Sequence, residues 1–180
     1  MKIYTKQELE AFRQQDAARQ KKLNAARWIW MVAVGVPTLV YTVFFATGRI
    51  SRALGLTAFL VSLILVNLVY ASKVDGAKTP FFKQFSDAIT VYKKQKIDKD
   101  SRQLYDSLMA VEGEPRNLTL LVSWHVNVAA ALNNLGRSDE AQEIIDLVEP
   151  FAEGKEITRS VKNMRTILEN EKCNTIEVPD

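Results

Sequence analysis

A histidine, a cysteine and a group of carboxylates are the side chains of this sequence that could do chemistry. The chain has one histidine, His125, and one cysteine, Cys173. A general base needs a partner that orients it, and His125 stands in an apolar run, so we expect a packed residue. A lone thiol forms no internal disulfide, and without a second cysteine or histidine near it in the sequence it builds no metal site. Neither residue indicates catalysis.

Four carboxylates lie close together at helical spacing between residues 139 and 146: Asp139, Glu140, Glu143 and Asp146. A set of this kind is typical of the solvated face of a helix. The sequence has no glycine-rich phosphate loop and no Cys/His metal spacing. We therefore predict a protein that is not an enzyme and that holds no cofactor and no metal.

The charge of the chain is divided unevenly. The net charge is +3, but residues 1–27 carry 7 basic and 3 acidic side chains, whereas residues 103–180 carry 7 basic and 14 acidic ones. The basic residues cluster beside two apolar runs, where cations near an anionic lipid leaflet are favourable. This distribution argues against a nucleic-acid partner and for contact with a lipid bilayer.

Two apolar runs, 28–47 and 53–72, each contain 20 residues without a charge. A helix of that length spans about 30 Å, which is the thickness of the hydrocarbon core of a bilayer. Buried core helices are the alternative, but they rarely run so long without a charge. We predict two transmembrane helices joined by a short outer loop. Because both flanks carry more Lys and Arg than the loop, we expect an integral protein of a bacterial cell membrane with both termini cytoplasmic.

The remaining segments are predicted to be helical or connecting. Thr5 and Glu8 form a capping-box pattern that opens a polar helix, either lying on the membrane surface or continuing into the first span. No strand pattern competes, so the fold class is all-α: a transmembrane helical hairpin followed by a small soluble helical domain. The predicted segments are a juxtamembrane helix over 1–27, the two spans within 28–72, a linker over 73–80, a helical domain over 81–171 and a tail over 172–180.

Helical periodicity continues through the predicted soluble domain. The run 118–135 is apolar on nearly all sides, which is typical of a central helix covered by others. A loop is expected over 112–117, and a second helix over 138–149 with Pro150 as its stop. One face of the last helix is apolar. Ile157 is followed on it by Val161, Met164 and Leu168, which lie 4, 7 and 11 positions further along the chain.

The stretch ALNNLGRSDEAQEIIDLVEP, residues 131–150, resembles a tetratricopeptide repeat. Small, large and glycine positions of that family recur at spacings of 3, 4, 5 and 4 in Ala129, Leu132, Gly136, Ala141 and Ile145. The resemblance covers about 30 residues and implies two antiparallel helices whose first member lines a protein-binding groove. The family's peptide-carboxylate clamp is not implied, since Ala130 occupies one of its slots.

These observations lead to two functional hypotheses. The first is a membrane-anchored, non-enzymatic adaptor or scaffold whose helical domain binds a protein partner. The alternative is an accessory subunit of a larger membrane transport or secretion complex, with the two spans as its main interaction surface. For the adaptor, the predicted protein-binding residues are Ser123, Asn127, Asn133 and Asn134. Asn133 and Asn134 have an equally good explanation as the polar end of their helix before Gly136.

Overall fold

The computed structural model describes residues 2–45, 57, 60–65, 67–68, 79–95 and 100–176. The chain forms two compact units, one made of Met1–Gln14 with Gly76–Asp180 and the other of Gln15–Asp75. The predicted all-α class is confirmed, and these ranges contain no strand. The helices are α1 (Lys6–Phe45), α2 (Pro80–Lys94), α3 (Ser101–Met109), α4 (Leu118–Asn134), α5 (Ser138–Val148) and α6 (Lys155–Ile176), with a 3₁₀ turn at Glu149–Phe151.

Helix α1 begins at the predicted capping box. The Thr5 backbone N–H donates to Glu8 Oε2 at 2.7 Å, and the Glu8 N–H donates to Thr5 Oγ1 at 3.4 Å. Each residue therefore satisfies a backbone donor that the first turn leaves without a partner. From there the helix is continuous to Phe45. The polar N-terminal helix and the helix of the first apolar run are thus one element.

The unit that contains residues 76–180 is built around α4, as its apolar sequence predicts. Helix α4 packs against α3, α5 and α6. Trp124 is fully buried, and its Nε1–H donates to the backbone oxygen of Leu108 at 2.9 Å, so the polar atom of the indole is satisfied inside the core. The predicted loop over 112–117 connects α3 to α4.

Helices α4 and α5 form the predicted hairpin. Gly136 has a φ of +76°, the left-handed conformation that glycine adopts without steric cost. Ala129 and Ala141 are completely buried, which allows close approach of the two helices. Leu132 and Ile145 are buried beside them and fill the seam.

Side-chain caps fix where three helices of this unit begin. Thr79, Asp100 and Asn117 each accept a hydrogen bond from a backbone N–H in the first turn of α2, α3 and α4. The apolar face predicted for α6 is confirmed, since Val161, Met164 and Leu168 are buried in the core and Ile157 packs against it. The predicted linker 73–80 lies outside the described residues except for its last two.

In the other unit, α1 exposes large apolar side chains. Trp28, Val32, Val36, Leu39 and Val43 are each more than half exposed and lie at spacings of 4, 4, 3 and 4. Arg27 Nη2 donates to Asn67 Oδ1 at 3.0 Å, a contact between residues 40 positions apart. We call the five apolar residues the α1 apolar stripe.

The predicted integral membrane location, with both termini cytoplasmic, is contradicted. A spanning helix needs about 20 consecutive, mainly apolar residues to cross the hydrocarbon core. Within the described ranges, no helix reaches the length and apolarity that a crossing requires. The second predicted span, 53–72, is described only at residues 57, 60–65 and 67–68, and its remaining residues lie outside the described ranges. The described residues therefore give the predicted transmembrane hairpin no support.

Candidate functional site

Helix α4 has one partly accessible strip on an otherwise buried surface. Ser123, Asn127 and Ala130 are half-buried and Asn134 is exposed; Val126 and Thr119 are also accessible on this side, whereas the other residues of the helix are buried. Spacings of 4, 3 and 4 place the first four on one side of a helix with 3.6 residues per turn. We call these four residues the α4 strip.

Hydrogen bonds to the neighbouring helices show what borders the strip. Asn134 Nδ2 donates to the Tyr92 hydroxyl of α2 at 3.2 Å. The preceding residue, Asn133, donates from Nδ2 to Glu171 Oε1 of α6 at 2.9 Å. Near its C-terminal end the strip therefore lies between α2 and α6.

The strip itself has polar groups held in fixed positions. Asn127 Nδ2 donates to the backbone oxygen of Ser123 one turn earlier, at 2.8 Å. This bond holds the side-chain amide of Asn127 against the preceding turn of the helix. Ala130, one turn after Asn127, adds no bulk. The result is a narrow surface that presents amide groups beside a small side chain.

The four residues predicted as the binding site are placed unequally. Ser123, Asn127 and Asn134 belong to the strip, but Asn133 is only 7 % exposed. Its Oδ1 is buried and accepts no hydrogen bond from the described residues. The structure therefore makes Asn133 a link between α4 and α6, and whether the other three bind a partner stays a prediction.

The alternative explanation, that the two asparagines only end the helix, applies to the backbone of this turn and not to their side chains. The Gly136 N–H donates to the Asn133 backbone oxygen at 2.9 Å, and the Arg137 N–H donates to the Leu132 oxygen at 3.0 Å. These bonds satisfy the carbonyl groups at the helix end, as expected where a glycine follows it. The two carboxamides instead reach the neighbouring helices.

His125 is a packed residue, as the sequence predicts. It is completely buried, with Nδ1 2.9 Å from the Leu121 backbone oxygen and Nε2 3.4 Å from the Tyr4 backbone nitrogen. Burial lowers the pKa of His125 to about 4, although the bond to Leu121 acts in the opposite direction. Both ring nitrogens are engaged with the backbone, so neither is available as a general base.

Arginines neutralise part of the acidic group on α5. Arg137 forms a two-pronged bond to Glu140, with both distances 2.6 Å, and this contact lowers the pKa of that carboxyl. Arg165 of α6 pairs with Asp146 and with Glu149.

In the ranges that the structure covers, no group of three His, Cys, Asp or Glu residues has the arrangement of a metal site. The side chain of Cys173 lies outside those ranges.

Sequence reasoning missed one contact region. The N-terminal residues pack on the same unit as α4: Leu9 is completely buried in the core, and Tyr4 and Phe12 pack against it. Arg13 forms an ion pair with Glu153 at 2.8 Å. Leu9 and Phe12 are isolated apolar positions in a polar helix, and they were the only signal available in the sequence.

Comparison of the chain with protein-family models, with curated proteins and with solved structures finds no match.

Proposed function

We propose that this protein is a non-enzymatic adaptor whose tetratricopeptide-like helical unit binds an extended segment of a protein partner along the α4 strip. The supporting observation is the strip itself, the partly accessible surface of a helix whose other faces are buried. Ser123, Asn127 and Asn134 keep part of their surface accessible, so a partner can contact them.

The chemistry of the strip suits a polypeptide backbone. A carboxamide presents both a donor and an acceptor, the same pair that each peptide unit of an extended segment offers. Asn127 and Asn134 are separated by about two turns of helix, roughly 10 Å, which matches three residues of an extended chain. Ala130 between them leaves room for the partner's backbone to approach.

Charge favours a basic partner segment. Residues 103–180 contain twice as many acidic as basic side chains, 14 against 7. Complementary charge steers a partner toward the surface and aligns it more than it raises the final affinity. A basic segment would therefore associate faster with this unit, and its binding would weaken as the salt concentration rises.

A substitution at the centre of the strip tests this proposal. The full-length chain would be used to select binders from a displayed library of random peptides, and the selected peptides would then be measured against Ala130→Leu. We expect binding to fall at least tenfold, because the larger side chain fills the space above the helix; this corresponds to about 1.4 kcal/mol.

The matched control is Ala152→Leu, which changes a half-buried alanine away from α4 in the same way. It should leave peptide binding within twofold of the unchanged chain. Equal affinities of the unchanged chain and Ala130→Leu for every selected peptide would reject the strip as the binding surface.

A second candidate function is that of an accessory subunit in a larger assembly. The α1 apolar stripe favours it, because five large apolar side chains on one helix are each more than half exposed. A contiguous exposed apolar surface of this kind marks a contact surface. Val36→Lys would abolish co-purification of the other subunits if this candidate holds, whereas Ala130→Leu would leave it intact. The adaptor proposal predicts the opposite pattern.

A further inference from the structure

We propose that residues 2–14 form a latch on the helical unit, which His125 holds in place only while its ring is neutral, so that mild acid releases the segment. The latch goes beyond the adaptor function and does not depend on it. Its contacts are on the face of α4 opposite the strip, because His125 is two residues from both Ser123 and Asn127 on a helix with 3.6 residues per turn.

The backbone partners of His125 assign its protonation state. The Leu121 backbone oxygen only accepts, so Nδ1 carries the hydrogen and donates across 2.9 Å. The Tyr4 N–H only donates, so Nε2 is the acceptor, at 3.4 Å. A neutral ring with hydrogen on Nδ1 satisfies both partners. Protonation at Nε2 would place two donors face to face and would remove the bond to Tyr4.

Ring contacts join His125 to the latch, through Tyr4, and to its own helix, through Trp124. The Tyr4 ring meets the imidazole edge to face with centroids 6.0 Å apart, and Trp124 meets it in the same manner at 4.9 Å. Beyond these, the latch depends on the completely buried Leu9, on Phe12, which packs against the core, and on the exposed pair of Arg13 with Glu153. An exposed ion pair contributes little, so loss of the Tyr4 contact leaves Leu9 and Phe12 as the main remaining attachment.

Other titratable groups near the latch act on the pKa values of Tyr4 and Glu8, and none of them is a cause of the lowered pKa of His125. Glu114 of the loop before α4, together with Glu8 and Lys2 of the latch, acts on the pKa of the Tyr4 hydroxyl, which burial raises. The Lys2 ammonium and the Thr5 donors lower the pKa of Glu8 to about 2. Burial is what lowers the pKa of His125 to about 4, and no carboxylate contributes to it.

The sign of the effect follows from the two states of the latch. In the docked state the pKa of His125 is about 4, and after release the solvated ring returns toward 6.5. Between these values the released state binds a proton and the docked state does not, so acidification favours release. From pH 7.0 to 5.5 the ratio of docked to released chain should fall about eightfold; carboxylates titrate mainly below this window and amines above it.

Hydrogen exchange of the full-length chain measures this ratio. Mass spectrometry of fragments covering residues 2–14, corrected for the intrinsic pH dependence of exchange, should show the eightfold loss of protection. His125→Gln, which keeps a polar side chain that does not titrate, should show no change over the same window. Unchanged protection in the original chain, or the same loss in His125→Gln, would overturn the proposal.

The reciprocal measurement uses the single histidine of the sequence, whose ring C–H signals in NMR need no further assignment. Leu9→Ala removes the buried anchor, and the pKa of His125 should then rise from about 4 toward 6.5. Glu10→Ala, an exposed change in the same segment, should leave it near 4. A pKa that stays near 4 in Leu9→Ala would contradict the latch. If far-UV circular dichroism shows that Leu9→Ala is unfolded, the exchange experiment on the original chain decides alone.

Discussion

Asn133 shows how a polar side chain can act inside the helical unit without facing a partner. Its Nδ2 donates to Glu171 of α6, while its buried Oδ1 has no donor among the described residues. A buried acceptor that loses water without gaining a partner costs about 1–3 kcal/mol. The bond to Glu171 offsets part of that cost and fixes α6 against the end of α4.

Asn133→Asp should therefore destabilise the fold strongly. The change replaces the donating amide with a carboxylate oxygen 2.9 Å from Glu171, so two negative charges meet where one of them is buried. We expect a loss of at least about 2 kcal/mol in the free energy of unfolding, measured by urea denaturation at neutral pH.

Asn134→Asp is the control, because the adjacent side chain is exposed and carries the same chemical change. It should alter the free energy of unfolding by less than about 0.5 kcal/mol. Equal stability of the two variants would show that Asn133 does not link α4 to α6.

At the scale of elements, the hairpin of α4 and α5 depends on its turn. Gly136 has a φ of +76°, and a Cβ built there would meet nothing within 4 Å. Any cost of a side chain at this position is therefore conformational and does not come from a clash. A substitution at Gly136 therefore tests the backbone conformation of the turn and not its packing.

Gly136→Ala should lower the free energy of unfolding by about 1–2 kcal/mol, because a Cβ disfavours the left-handed conformation. Gly136→Asn should cost less, since asparagine visits that conformation more readily than alanine. Urea denaturation of both variants measures the difference. An alanine variant as stable as the asparagine variant would mean that the turn has a different backbone conformation.

The seam between the two helices allows a paired substitution. Ala129 is completely buried where α4 approaches its neighbours, whereas Ala130 lies half-buried on the α4 strip. Ala129→Leu should destabilise the fold by roughly 1–3 kcal/mol through overpacking, and Ala130→Leu should change stability little. Thermal and urea unfolding of the two variants would contradict this account if their order were reversed.

The helices of the unit that contains residues 76–180 were predictable because their apolar positions repeat with helical spacing. The face of α6, the central place of α4 and the glycine turn all follow from local pattern. The partners of Asn133 and Tyr4 were not predictable, because they lie far along the chain. Asn133 bonds a residue 38 positions away, and Tyr4 bonds His125 across 121 positions. Periodicity within one helix contains no information about such contacts.

At the scale of the whole molecule, the sequence-based location was wrong. Counting charge-free residues predicted two spans, but no helix in the part of the chain that the structure describes is both long enough and apolar enough for a crossing. The grouping of residues 1–14 with the later helices was also not foreseen. A polar helix with Leu9, Phe12 and Leu23 as its few larger apolar residues gave too weak a periodic signal to predict a docking face.

The central claim is that the α4 strip is the surface that contacts a protein partner. The most direct test places a photo-crosslinking amino acid at position 130 of the full-length chain and, as a control, at Glu143, an exposed residue of α5. After irradiation in cells, we predict a crosslinked protein adduct from position 130 and none from position 143. No adduct from position 130, or the same adduct from both positions, would contradict the claim.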